Sequence, residues 1–353
     1  MKYSIIVPVY NRPDEVDELL QSLTEQELKD FEVVIVEDGS QKPCKDVCDK
    51  FADILDLHYY VKENGGPGQA RNYGAERAHG EWLIILDSDV VLPKGYLKAV
   101  EDGLRGERRE ERGEFAAFGG PDASHPSFTP VQKAISYSMT SFFTTGGIRG
   151  GKKKLDKFYP RSFNMGIRCD VYQQLGGFSK MRFGEDIDFS YRIVEAGYNP
   201  QLIPDAWVWH KRRTDFRKFF RQVYNSGIAR INLEKRHPGT LKLVHLLPMV
   251  FTVGVIALIL IAAVARAMIH YDAANWHTWY WICLLALSPI LFYSLIIFID
   301  SSIKNKSMKV GLLSVPAAFV QLMGYGFGFI ESWWKRCVMK KDEFQAFEKN
   351  FYK

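Results

Sequence analysis

Three short stretches carry side chains able to do chemistry. Asp87-Ser88-Asp89 sets two carboxylates two residues apart at the end of an apolar run. Two such groups at a strand terminus reach one hard cation, which would neutralise a leaving diphosphate, although the same pair also terminates strands and caps turns. Gly184-Glu185-Asp186-Ile187-Asp188 opens a helix expected to run to about Ala196 and to stop at Gly197. Asp186 then lies in the first turn with its carboxylate free, where the helix dipole keeps it ionised and fit to take a proton from a hydroxyl. The bland alternative is that Glu185 and Asp186 only cap the helix. His210 follows Ala206-Trp207-Val208-Trp209 and precedes Lys211-Arg212-Arg213. It is either a structural imidazole or the completing member of a metal or diphosphate site.

The elements that must position these groups alternate. Residues 4–9 (Ser-Ile-Ile-Val-Pro-Val) read as a buried parallel strand, 14–28 as an amphipathic helix, 31–36 as the next strand, 69–78 as a helix and 82–86 as a third strand. This is the start of a doubly wound α/β sheet, in which ligands bind beyond the carboxyl ends of the strands. Each strand end here carries unusual residues: Tyr10-Asn11-Arg12, Glu37-Asp38-Gly39-Ser40 and Asp87-Ser88-Asp89. Residues 136–157, rich in Ser, Thr, Gly and Lys, read as a mobile loop, and the charge run 103–113 as a solvated helix end.

Competing nucleotide motifs fail. Gly65-Gly66-Pro67-Gly68 lacks the Lys-Ser/Thr of a P-loop, and its spacing and position after the second strand do not match a dinucleotide fingerprint. The five cysteines (44, 48, 169, 283 and 337) lack a disulfide-framework spacing, and Cys44/Cys48 lack the second pair or nearby His that zinc needs, so reduced structural thiols are expected.

Of 353 residues, 47% are hydrophobic and 14% aromatic, which excludes a disordered or collagen-like polymer. The average hides a split, because the windows 243–265, 273–299 and 310–330 contain no Asp, Glu, Lys or Arg. Each reaches the roughly 20 residues a helix needs to cross a hydrocarbon layer. The expected organisation is a polar head over 1–240, a membrane region over 241–334 with spans near 243–265, 277–299 and 310–330, and a short basic tail over 335–353. Between Gln201 and Thr240 nine basic residues face three acidic ones, a local excess of +6 against +5 for the whole chain. A basic collar before a first span fits the positive-inside rule and anionic lipids, and fits duplex nucleic acid poorly. The head is therefore expected in the cytosol of a multi-pass plasma (inner) membrane protein. The apolar run after Met1-Lys2 is too short for a secretory signal. The third window is read as a crossing, although that puts Lys335, Arg336, Lys340, Lys341, Lys349 and Lys353 on the wrong side for the charge rule. Gly311, Gly324, Gly326 and Gly328 with Pro316 also permit a re-entrant or interfacial segment.

The series Ile-Val-Pro-Val-Tyr-Asn, Val-Glu-Asp-Gly-Ser, Asn-Gly-Gly-Pro-Gly-x-Ala-Arg-Asn, Asp-Ser-Asp, Phe-Asn-Met-Gly, Gly-Gly-Phe, Gly-Glu-Asp-x-Asp and a downstream His runs in this order over residues 3–213. In that order it resembles the family 2 inverting glycosyltransferases. The resemblance implies a type A glycosyltransferase fold, an α/β domain with a mixed, mostly parallel sheet that binds a nucleotide-diphosphate sugar, UDP above all, with Mg²⁺ or Mn²⁺. It assigns Pro8, Tyr10 and Asn11 to the nucleoside pocket and Asp38 to the base. Arg71 and the Gly65–Gly68 loop, Gly66 included, fall near the nucleotide. Asp87, with Ser88, faces the ribose or donor sugar. Asp89 becomes the metal ligand, His210 a further metal or diphosphate contact and Asp186 the catalytic base with Glu185 beside it. Asn164 and Gly177 shape the sugar and acceptor site.

Two departures narrow the expectation. Processive members carry Gln-x-x-Arg-Trp near the membrane, whereas Gln222 here is followed by Val-Tyr-Asn-Ser-Gly-Ile-Ala-Arg230 without a Trp. With few candidate spans, this implies transfer of one sugar at a time. Polyprenyl-phosphate acceptors arrive as anions and have less need of a protein base, so the Glu185-Asp186 pair points to a hydroxyl acceptor on a lipid carrier or glycan precursor. A polyprenyl-phosphate sugar transferase is the nearer alternative, and a non-catalytic nucleotide-binding membrane scaffold the farther one.

Overall fold

The computed structural model describes residues 1–106, 114–123, 125, 127–145, 158–181 and 183–343. They fall into two compact units. One comprises the described residues up to 125 and from 158 to 211, the other those of 127–145 and 212–343.

The first unit is built on a seven-stranded sheet. Strand β1 (Tyr3–Val9) leads through α1 (Pro13–Thr24) to β2 (Phe31–Asp38), and α2 (Lys45–Phe51) leads to β3 (Leu57–Lys62). Helix α3 (Pro67–Ala75) then returns the chain to β4 (Trp82–Leu86). These four strands are parallel, in the order β3-β2-β1-β4. Every residue of β2 is buried, as expected of a strand covered on both faces by crossover helices. Beyond β4 come β5 (Val90–Val91), α4 (Tyr96–Arg105), β6 (Ala117–Gly119) and β7 (Asp122–Ala123).

Two short helices of the second unit intervene, α5 (Pro130–Thr140) and α6 (Phe142–Thr145), before β8 (Asn164–Arg168), α7 (Cys169–Gln174), α8 (Glu185–Glu195), β9 (Gln201–Leu202) and β10 (Val208–His210). Strand β8 inserts antiparallel between β4 and β6, and β9 adds to β6, so the sheet is mixed but mostly parallel. Alternation along β1 sends Tyr3, Ile5, Val7 and Val9 to the layer holding Leu19, Leu20 and Val100, while Ile6 joins Ala70, Phe178 and Phe189 on the other face. Cys44 and Cys48 are free buried thiols with sulfurs 4.0 Å apart.

In the second unit, α9 (Phe216–Arg236) is followed by α10 (Leu247–Tyr271), α11 (Trp276–Asn305) and α12 (Met308–Trp333), with a short π-helical turn at Trp334–Val338. Three helical segments, Leu243–Tyr271, Ala273–Asn305 and Met308–Val338, are long and apolar enough to cross a membrane.

Two expectations need correction. The 136–157 segment is not a loop at its start: Pro130 at the first turn and a Thr129/Gln132 capping box launch α5, and Ser138 and Thr140 bond back to the carbonyls of Ile135 and Ser136. The remainder, 146–157, lies outside the described residues, as do 107–113 of the charge run. Nor do the glycines of α12 break it. They let helices touch, because a Cβ on Gly324 would overlap Val223, one on Gly326 would overlap Thr252, and one on Gly328 would overlap the Tyr224 carbonyl.

Candidate active site

The short strand β10 decides where His210 sits. It pairs antiparallel with β5, placing His210 opposite Val90, and the Lys211 amide donates to the Asp89 carbonyl at 3.0 Å. The His210 ring stacks on Phe163, centroids 5.0 Å apart. Its Nε2 lies 3.2 Å from Asp89 Oδ1 and 3.9 Å from Asp87 Oδ2. One ligand atom from each of Asp87, Asp89 and His210 falls within 4.8 Å of the others. Asp89 Oδ2 also accepts from Arg12 Nη1, a cation from the end of β1. Two carboxylates and one imidazole suit a hard or borderline divalent cation such as Mg²⁺ or Mn²⁺, so this donor set fits the metal that the resemblance implies.

The Glu185-Asp186 pair is built on the first turn of α8, after Gly184 in the left-handed region. Helix α3 presses close enough that a Cβ on Gly68 would meet Phe178 at 3.2 Å and Glu185 Cγ at 3.3 Å. From the same helix Arg71, 3% exposed, lies over the Phe178 ring and reaches both ways. Its Nη1 donates to Glu185 Oε1 at 2.9 Å and its Nη2 to Asp87 Oδ1 at 2.8 Å. One guanidinium thus links the Asp87/Asp89/His210 cluster to the acidic pair.

Asp186 is not free, contrary to expectation. Arg161 Nε donates to its Oδ2 at 2.7 Å and the Ile187 amide to its Oδ1 at 2.9 Å. Arg161 is aimed there because Tyr159 packs edge-on against Tyr191 and Ser190 donates to the Pro160 carbonyl, which lays residues 159–161 along α8. Burial opposes ionisation of Asp186, but the Arg161 ion pair, assisted by Arg71 and the Ile187 amide, outweighs it and holds the carboxyl below its ordinary value. Glu185 goes the other way. Burial first, then the neighbouring charge of Asp186, push it up to about 7 in spite of Arg71.

The other expected residues are held by contacts of their own. At the end of β1, Pro8 and Tyr10 are half-buried, while Asn11 adopts φ +55° and its Oδ1 accepts from the amides of Gln41 and Lys42. Asp38, at the end of β2, accepts from Lys62 Nζ and from the amides of Gly65 and Gly66, each at 2.8 Å, and so fixes the glycine loop entering α3. Gly66 itself has φ +89°. Ser88 is buried between the two aspartates. Asn164 ties β8 to its neighbours, donating to the Ala206 carbonyl and accepting from Tyr96 Oη. Gly177, φ +63°, closes a turn on which Asn72 is seated, and its carbonyl accepts from Arg192. Sequence reasoning missed Arg161 and the pairing role of Arg12. No local signal marked either, because Arg161 lies 25 residues from Asp186 and Arg12 lies 77 from Asp89.

Residues 4–109 match the family model for glycosyl transferase family 2, and residues 82–297, more than half of the chain, match that for glycosyl transferase family group 2. The chain belongs to the family 2 glycosyltransferases. The chain is 39% identical over 102 residues to the poly(ribitol-phosphate) beta-N-acetylglucosaminyltransferase TarS of Staphylococcus aureus strain Mu50, covering 28% of this chain and 18% of that one. It therefore spans less than a fifth of that relative. It is 26% identical over 240 residues to the glycosyltransferase AglE of Haloferax volcanii, covering 65% of this chain and 73% of the relative. Among solved structures, the mannosyltransferase PcManGT from Pyrobaculum calidifontis, in complex with GDP-Man and Mn²⁺, covers 95% of this chain and 88% of its own with a TM-score of 0.55 and 15% identity. At that identity the likeness shows a shared fold.

Proposed function

We propose that the protein is a membrane-anchored, metal-dependent glycosyltransferase that moves one sugar, with inversion, from a nucleotide-diphosphate sugar such as a UDP-sugar to a hydroxyl of a lipid-linked or glycan-precursor acceptor. The observation that carries this reading is the Arg71 bridge, which joins the cation-binding set to the acidic pair across two contacts of 2.8 and 2.9 Å. A leaving-group site and a proton-accepting site must lie that close for one in-line displacement.

A divalent cation held by Asp89, with Asp87 and His210, would supply positive charge for the leaving diphosphate. The chain's own residues do the rest. Asp186, ionised by its Arg161 pairing, accepts the proton of the acceptor hydroxyl as that oxygen attacks the anomeric carbon, and the bond from that carbon to the diphosphate oxygen breaks on the opposite face. Glu185 stays beside it, held by Arg71. Asp38 and the Gly65-Gly66 amides shape the floor near the nucleotide. Because Asp186 is deprotonated without help from the acceptor, a neutral hydroxyl is a suitable substrate, which favours this acceptor over a polyprenyl phosphate. The reading places the catalytic domain over residues 1–240 on the cytosolic face of a plasma membrane, with Tyr10, Asn11, Asn164 and Gly177 lining or shaping the substrate sites.

The test is a screen of nucleotide sugars for hydrolysis and transfer by the purified protein with Mn²⁺, followed by NMR of the product's anomeric configuration. Inverted transfer to a hydroxyl supports the reading. Transfer only to a polyprenyl phosphate moves the function to that alternative, and nucleotide binding without turnover of any donor leaves a scaffold.

A further inference from the structure

Helices α9 and α12 lie side by side and parallel. Phe216 packs against the cluster that holds Val310 and Ala317, Val223 lies beneath Gly324, Gly227 against Tyr325 and Phe329, and Ser332 Oγ donates to the Ile228 carbonyl at 3.2 Å. Arg236 then pairs with Glu343 at 2.8 Å. The partners advance together along both helices, so whatever depth and tilt α12 has, α9 shares. Yet α9 carries Arg217, Lys218, Arg221, Arg230, Glu234, Lys235 and Arg236. Its uncharged stretch, residues 222–229, is eight residues long, or about 12 Å, against a hydrocarbon layer of about 30 Å. Phe219 and Val223 pack near Val320, the middle of α12, and Arg221 lies between them in sequence. Were α12 to cross a bilayer, Arg221 would ride at its midplane, where charges are rare and costly.

Contacts with the other two apolar helices point the same way. Gly326 meets Pro248 and Thr252, and Phe319 meets Phe251, all at the beginning of α10. Phe319 also meets Tyr293, Ala318 packs with Ile297, Ser314 bonds to Ser301 at 2.7 Å, and Gly311 meets Phe298 and Ser302, all towards the end of α11. Phe251 and Tyr293 themselves touch. These contacts of α12 thus gather at one end of the α10–α11 hairpin, the end where Asp300 and Lys304 sit. The far parts of the hairpin expose Ile259, Ile261, Val264, Leu284 and Leu285. The three apolar windows are correspondingly unequal: 17% and 11% of the first two are buried, but 44% of the third.

We propose that α10 and α11 cross the bilayer as a hairpin and that α12, with α9, lies in the headgroup layer at the hairpin's base. The occupant of their open face is the surface of a bilayer carrying anionic lipid. Leu312, Phe327 and Trp333 of α12, with Trp334 of the turn that follows, are exposed as apolar and interfacial aromatic anchors. Arg217, Lys218, Lys235 and Arg236 on α9 are exposed as cations. Residues after α12 therefore remain on the side from which α9 enters, and Lys335, Arg336, Lys340 and Lys341 no longer oppose the charge rule.

Cys337 is exposed and reports the answer. In the full chain with Cys169→Ser and Cys283→Ser, the labelling lost on further Cys337→Ser is measured with a membrane-impermeant maleimide in right-side-out and inside-out vesicles. Reference cysteines are introduced, in the chain carrying Cys337→Ser, at Thr214→Cys, just before α9, and at Ala274→Cys, between α10 and α11; both positions are exposed. Cys337 is expected to label in the same vesicles as position 214 and in the opposite ones to position 274. Labelling together with position 274 overturns the proposal. An epitope tag after Lys353 in the otherwise unaltered chain reads the same topology by antibody access: exposure on the side of position 274 overturns it, exposure on the side of position 214 supports it.

Discussion

The strand-end loops of the parallel half and the carboxylate cluster beyond β4 both hold acidic side chains, by different means. Asp38 is held by backbone, through the amides of Gly65 and Gly66, together with the side chain of Lys62. Asp87, Asp89, Glu185 and Asp186 instead face guanidinium groups: Arg71, Arg12, Arg71 again and Arg161. A carboxylate bound by amides shapes a loop, whereas one bound by a guanidinium sets a charge. Substitutions in the first region should therefore alter geometry and affinity, and those in the second should alter protonation and turnover.

The strongest test of that contrast is Asp186→Asn, expected to lower turnover by about 10² to 10⁴ while donor affinity is unchanged, because the group acts as the acceptor proton moves. Steady-state kinetics with calorimetric donor binding measures both. The pH profile names the base independently: with Asp186, held low by Arg161, the acidic limb falls below the usual carboxylate range, whereas a base at Glu185 would put it near 7. Full activity of Asp186→Asn with loss in Glu185→Gln would exchange the two roles.

Next in size is Arg71→Met, which strands two acids at once. Leaving one member of a buried ion pair alone typically costs about 3–5 kcal/mol, read as a fall in the denaturant midpoint. Adding Glu185→Gln should return part of that loss, and a purely additive double variant would deny that the bridge matters.

A smaller effect separates the regions directly. Asp89→Ala should remove only the Mn²⁺-dependent part of UDP binding, while Asp38→Ala should weaken UDP and uridine alike with or without the cation. Calorimetry with both ligands decides, and equal losses on uridine would erase the distinction. The smallest concerns Asn164→Ala. Its amide bonds Ala206 and Tyr96, so a stability loss of about 1–3 kcal/mol with unchanged donor KM is expected; a raised KM with intact stability would return Asn164 to the sugar site.

Much of this is legible in the chain. Apolar runs mark β1, β2 and β4 within a residue or two, since strands buried on both faces have no polar side to blur the signal. Strand β3 escapes that reading, because none of its residues is fully buried, Val61 is exposed, and it mixes His58, Tyr59 and Lys62. The acidic motifs and His210 stand out because their spacing is local, but the partners that define their charge do not. Arg161 is 25 residues from Asp186, and Arg12 is 77 from Asp89. For α12 composition announces an apolar helix, yet Gly324 and Gly328 pack against Val223 and Tyr224, about a hundred positions earlier, which no window of sequence displays.

That last separation governs how the protein is made. Ser332 bonds to Ile228 across 104 residues, and Tyr224 to Glu331 across 107. A ribosome adding about 5–20 residues per second leaves α9 without its partner for roughly 5–20 s. During that interval the face carrying Phe219, Val223 and Ile228 has no α12 to cover it. Helix α12 therefore packs against elements synthesised before it, and the glycines at 324, 326 and 328 leave room for Val223, Thr252 and the Tyr224 carbonyl. A bulky side chain at Gly328 should then show itself first as a failure of biogenesis: newly made chains in which α9 and α12 have not docked, caught by limited proteolysis.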